Sequence, residues 1–199
     1  MTPPLDRGHG ALLARALFVD MAGVLLEPVA TDDRPGGRQT GLRAGVGAAL
    51  RLLDRLDYRI VVLAPCALDR RRAAHVPPAR IADLLARERI DLVGVCCCHA
   101  VHGPCVTCPP APGTLLRAAR EHAIDLTQSW LVASEHQHCT AGQQAGCRTL
   151  LIAGNDGWRL PAMPDAGTGT GMGESAPAAY QARDIFDAAL AIVRLDGSA

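Results

Sequence analysis

Apolar residues follow two rhythms along this chain. Short continuous runs fall at 16–19, 59–65, 91–97, 130–133 and 149–153. Between them lie stretches whose apolar positions recur at helical spacing. In 43–56 these are Val46, Ala49, Leu52, Leu53 and Leu56, and in 78–89 they are Ile81, Leu84 and Leu85. Residues 112–122 and 136–145 also read as helices, the first opening at a proline. The last helix, 181–195, is expected to pack Ile185, Phe186, Ala189, Leu190 and Val193 on the sheet. Strands alternating with helices predict an α/β fold, a doubly wound, Rossmann-type parallel sheet of five or more strands.

Turn-forming residues set the remaining boundaries. Residues 27–41, rich in Pro, Gly, Asp and Arg, read as a loop too short for a large cap domain, so only a minimal cap is expected. Residues 155–180, dominated by Gly, Pro, Ala and Thr, read as a flexible loop. They do not form a phosphate-binding P-loop, because that motif requires a lysine and no strand leads directly into them. The expectation is one domain over 1–199, with its core at about 15–154.

Charge and length narrow the functional classes. The 199 residues carry twenty basic and twenty acidic side chains, so no long-range field favours nucleic acid or an anionic membrane. All the basic side chains are arginine. No apolar run is long enough to span a bilayer, and residues 1–7 lack the basic-then-apolar order of a signal peptide, which makes a cytoplasmic protein the expectation.

The cysteines are unevenly placed. Five of the eight lie between Cys96 and Cys108, beside His99 and His102. Cys97, His99, Cys105 and Cys108 form two short ligand pairs joined by Gly103-Pro104, a spacing suited to a tetrahedral, structural Zn²⁺. Cys96, Cys98 and His102 are substitute ligands. A redox role for Cys105-Val106-Thr107-Cys108 is less favoured, because the pair sits in a proline-rich loop and not at a helix start.

The first run ends in a carboxylate, Asp20, followed by Met21-Ala22-Gly23-Val24-Leu25. Ligands of open α/β sheets sit beyond the carboxyl ends of such strands. The run resembles the first motif, Asp-x-Asp-Gly-Thr/Val-Leu, of the haloacid dehalogenase (HAD) superfamily of phosphatases. Further segments are similar to its heptose-bisphosphate and histidinol-phosphatase branch. Cys97-Cys98-His99 and Cys105 with Thr107-Cys108 resemble its zinc loop, and Pro110-Ala111-Pro112-Gly113 its Pro-x-Pro-Gly. Ser129 to Ser134 resembles Ser-x-x-Val-Gly-Asp, and Ala141-Gly142-Gln143-Gln144-Ala145-Gly146 its Ala-Gly-x-x-Ala-Gly.

The resemblance implies a HAD-like fold with Asp20 at the position of the nucleophile that forms an aspartyl-phosphate. It also locates the departures. Ala22 stands where the second Asp acts as acid and base, and Leu63-Ala64-Pro65-Cys66 supplies no hydroxyl for phosphoryl oxygens. The family's lysine would fall at Pro109. Ser134 replaces a carboxylate that holds Mg²⁺, leaving a site that binds that ion weakly.

His138 falls where another carboxylate is expected, and is a candidate acid/base or metal-binding group. Glu135 replaces a metal-binding Asp if the loop slips by one residue. The competing reading makes Glu135, His136 and His138 a solvated helix start. Arg70, Arg71 and Arg72 are candidates to hold a substrate's anionic end. The expectation is a binding protein, for a phosphosugar or a partner protein, with the standard phosphatase chemistry lost or severely weakened. The alternative is a phosphomonoesterase that uses Asp20 with His138 and an arginine.

Overall fold

The computed structural model describes residues 13–30, 38–64, 76–96, 109–152 and 180–197. In chain order the elements are β1 (Ala16–Asp20), β2 (Leu26–Ala30), β3 (Arg38–Leu42), α1 (Val46–Asp54), β4 (Arg59–Leu63), α2 (Pro78–Arg87) and β5 (Leu92–Cys96). They continue with α3 (Gly113–His122), a 3-10 turn (Leu126–Gln128), β6 (Trp130–Ala133), α4 (His136–Ala145), β7 (Arg148–Ile152), β8 (Tyr180–Ala182) and α5 (Ile185–Asp196).

Six strands form one sheet in the order β5-β4-β1-β6-β7-β8, and every pairing is parallel. The chain winds outward from β1 through β4 to β5, then returns to β1's other side at β6. The switch point therefore lies between β1 and β6, where α/β sheets open a crevice. The expected α/β, doubly wound, Rossmann-type parallel sheet is observed, with six strands.

Alternation along the strands builds two cores. Leu17, Val19, Ile60, Val62, Trp130 and Val132 face α1, α2 and α5. Ala16, Phe18, Val61, Leu131 and Ala133 face α3 and α4. Each central strand is apolar on both faces, which is why it reads as a continuous run. Gly142 lets α4 lie close on the sheet, since a Cβ there would come within 2.7 Å of Leu131 Cδ2 and Thr149 Cγ2.

Three expectations are corrected. Residues 27–41 are not simply a loop, because β2 and β3 pair antiparallel there, Leu26 opposite Leu42. Pro28 and the polar run Arg38-Gln39-Thr40 hide the strands from an apolar pattern. Tyr180–Ala182 adds a short edge strand beside β7 at the end of the expected flexible loop, whose residues 155–179 lie outside the described residues. The last helix begins later than expected, because Asp184 Oδ1 accepts the Asp187 amide at 2.8 Å and caps it. That phase buries Ala188 and Ile192 and leaves Phe186 41% exposed.

The amino end of the sheet is closed by a clamp. Asp196, the last residue of α5, accepts hydrogen bonds from Tyr58 Oη, Trp130 Nε1 at 3.3 Å and Arg148 Nη1 at 2.6 Å. The Arg148 guanidinium also lies 4.3 Å from the Trp130 ring centroid.

Candidate functional site

Asp20 ends β1 at the switch point, and the backbone beyond it turns at once. The Leu25 amide bonds back to the Asp20 carbonyl at 3.1 Å and the Leu26 amide to the Met21 carbonyl at 3.0 Å. Gly23 sits in this turn at φ 79°, a left-handed conformation open to glycine. It also passes so near Ser134 that a Cβ would lie 2.5 Å from Ser134 Oγ. The turn at β1 and the loop after β6 are thus held against each other. Ser134 Oγ closes the join by donating to the Ala22 carbonyl at 3.1 Å.

Three of the residues expected at the site meet here. The Asp20 side chain is 3% exposed, and its Oδ2 lies 2.5 Å from His138 Nδ1. The Ser134 amide donates to the same oxygen at 3.2 Å. The other oxygen, Oδ1, is sealed from solvent and has no partner among the described residues. His138 stands in the first turn of α4, with a quarter of its side chain exposed. A solvated helix start describes His136, which is exposed, but not His138. Glu135 Oε2 accepts from Gln137 Nε2 at 2.7 Å.

The pair holds protons more tightly than its parts would in water. Burial pushes the Asp20 carboxyl above its ordinary value, against the hydrogen bond and charge of His138 that pull it down. Burial alone would lower His138, but the hydrogen bond and charge of Asp20, joined by Glu135, carry it above its ordinary value. The Nδ1 to Oδ2 contact therefore holds a proton between the two side chains.

This arrangement does not fit Mg²⁺. The ion requires hard oxygen ligands in octahedral array. Here Oδ2 is engaged by the Ser134 amide and the His138 ring, Oδ1 is sealed, Ser134 Oγ is spent on a carbonyl, and the side chain nearest the carboxylate is an imidazole where a hard oxygen ligand is needed. Among the described residues no group of three or more His, Cys, Asp or Glu side chains converges as a metal site.

The other expected site residues lie outside the described residues. These are Arg70, Arg71 and Arg72, and the zinc ligands Cys97, His99, Cys105 and Cys108 with the substitutes Cys98 and His102. Cys96 is described, and is a buried thiol at the end of β5. Sequence reasoning missed the Ser134 amide and the Gly23 approach. A glycine three residues past a strand-end Asp was the available signal for the second, whereas a backbone donor leaves no signal in residue type.

The α/β fold is shared with solved structures of HAD-superfamily proteins. Among similar solved structures is D,D-heptose 1,7-bisphosphate phosphatase from B. bronchiseptica, complexed with magnesium and phosphate. It is 19% identical, with 91% of this chain and 99% of that chain covered and a TM-score of 0.63. An uncharacterized protein from Listeria monocytogenes serotype 4b is 14% identical, over 92% of this chain and 99% of that one, with a TM-score of 0.62. A HAD-superfamily hydrolase from Ehrlichia chaffeensis is 10% identical, over 92% and 98%, with a TM-score of 0.55. No family model matches the sequence, and no curated protein does.

Proposed function

We propose that this chain is a HAD-fold pseudophosphatase, related to the heptose-bisphosphate phosphatases, which holds a phosphosugar without turning it over. One observation carries the reading. The carboxylate at the nucleophile position has one oxygen tied to His138 and Ser134 and the other sealed, so neither is presented to a phosphorus atom. In-line attack requires a free lone pair about 3 Å from phosphorus. The missing lysine and the replacement of carboxylates by Ala22 and Ser134 remove the groups that would neutralise charge and move the leaving proton.

In this reading Arg70, Arg71 and Arg72 hold the ligand's phosphate, and Cys97, His99, Cys105 and Cys108 hold a structural zinc. Cytoplasmic residence belongs with it, since zinc thiolates persist in a reducing compartment. A protein partner at the same face is the variant in which the phosphosugar is replaced by a surface.

The test is hydrolysis of p-nitrophenyl phosphate and a heptose bisphosphate with Mg²⁺, beside Asp20→Asn. The expected result is no turnover above that of the variant. Magnesium-stimulated turnover that Asp20→Asn abolishes would overturn the proposal. It would favour the second reading, an active phosphomonoesterase, which rests on the imidazole of His138 lying where a proton donor is needed. Zinc is checked separately, by metal analysis of reduced protein.

A further inference from the structure

A second cluster of charge lies at the opposite end of the sheet and takes no part in the site at Asp20. The last turn of α1 and the end of α2 border a groove of about 450 Å³, lined by Arg51, Asp54, Arg55, Arg87, Glu88 and Arg89. Residues 55 and 89 precede β4 and β5, so the groove opens at the strands' amino ends, a strand length of about 16 Å from Asp20.

The groove has a fixed floor and free walls. Arg51 Nη1 pairs with Glu88 Oε2 and reaches the Glu88 carbonyl at 3.3 Å, tying α1 to the end of α2. Gly47, one turn before Arg51, makes room for this pairing, because a Cβ there would collide with the Glu88 carboxylate. The chain then turns left-handed at Arg89, φ 57°, a conformation that usually goes to glycine. In a continuing helix residues 87, 88 and 89 would diverge by a third of a turn each; here all three line one groove.

The guanidiniums of Arg55, Arg87 and Arg89 make no hydrogen bond or ion pair among the described residues. Four arginines against two carboxylates leave an excess of two positive charges at the groove.

We propose that this groove is a binding site for a small polyanion carrying adjacent phosphate groups, a polyphosphate or a diphosphate ester. Guanidinium forks grip phosphate oxygens in pairs, and three unpaired forks on two elements suit linked phosphates better than one. The space is that of a small-molecule pocket. The bland account of these arginines is that they complement the negative ends of α1 and α2. That account predicts a stabilising role and no ligand.

The two are separated by calorimetric titration of the full chain with inorganic tripolyphosphate, at physiological ionic strength. The variants are Arg55→Gln with Arg87→Gln, and Asp20→Asn. The expected result is saturable binding that weakens at least tenfold in the arginine double variant and is unchanged in Asp20→Asn. Three results would overturn the proposal: no binding to the wild-type chain, equal binding in the arginine variant, or binding lost only with Asp20→Asn. A lowered Tm in the arginine variant without a change in tripolyphosphate affinity would assign these side chains to helix stabilisation. Repeating the titration with Arg89→Gln alone guards against loss of fold in the double variant.

Discussion

Two carboxylates sit at opposite ends of the same sheet, and they are served differently. Asp196 at the amino end accepts from Tyr58, Trp130 and Arg148, with both oxygens engaged and a cation over the adjoining indole. Asp20 at the carboxyl end has one oxygen engaged and one sealed with no partner among the described residues. A fully satisfied polar cluster fastens elements together; a partly satisfied one costs stability and marks where a fold keeps, or has kept, chemistry. The contrast assigns fastening of the sheet to the Asp196 cluster and leaves the carboxylate at the switch point short of partners among the described residues.

The largest effect should come from breaking the satisfied end. Asp196→Ala leaves three donors without their acceptor and should cost roughly 3 kcal/mol. For a chain of this size that lowers Tm by roughly 6–12 °C in a thermal melt. Asp20→Asn should be mild by comparison, within about 1 kcal/mol, because it removes a buried charge while keeping an oxygen acceptor. Equal losses at both positions would erase the distinction.

Next in size is His138→Ala, which strips Asp20 of its charged partner and should cost roughly 2 kcal/mol at neutral pH. Much of that loss should disappear in the double variant with Asp20→Asn, a coupling that denaturant melts of all four proteins would measure. The pair also sets a pH dependence. Both groups have folded pKa values raised above their ordinary 3.8 and 6.5, so the folded chain binds more protons than the unfolded one. The His138 contribution is complete below pH 6.5 and is lost as pH rises through the folded value. The slope cannot exceed about 1.4 kcal/mol per pH unit per proton. Urea midpoints at successive pH values should fall above pH 6.5 in the wild-type chain and stay flatter in His138→Ala.

A small effect is also expected between the two ends. Gly142→Ala pushes a methyl to within 2.7 Å of Leu131 and Thr149. The expected loss is about 1 kcal/mol in chemical denaturation, since side-chain tips give way while helix propensity improves. Gly23→Ala should cost more, about 1–2 kcal/mol, because a left-handed backbone and contact with Ser134 act together.

The sequence made the core legible because each central strand is apolar on both faces and each covering helix carries one apolar stripe. β1, β4, β6 and β7 needed no tertiary knowledge. The β2–β3 hairpin and the β8 edge did not show, because their pairing relies on backbone groups in polar or proline-containing stretches. Phe186 misled because the stripe that packs on the sheet runs through Ile185, Ala188, Ala189 and Ile192, which leaves the next residue after Ile185 on the outer face. At the site, the resemblance to the HAD motifs put Asp20, Ser134 and His138 in one neighbourhood. It left open whether His138 meets the carboxylate or solvent, because that depends on how α4 leaves the sheet.

The Asp20 side chain is either held by His138 or available to a cation. Nitrogen-15 NMR of the His138 ring during a titration with millimolar Mg²⁺ tests this directly. The prediction is a proton on Nδ1, hydrogen-bonded to a carboxylate, with no change as Mg²⁺ is added. An Nδ1 that loses its proton or its carboxylate partner as Mg²⁺ saturates the protein would contradict it.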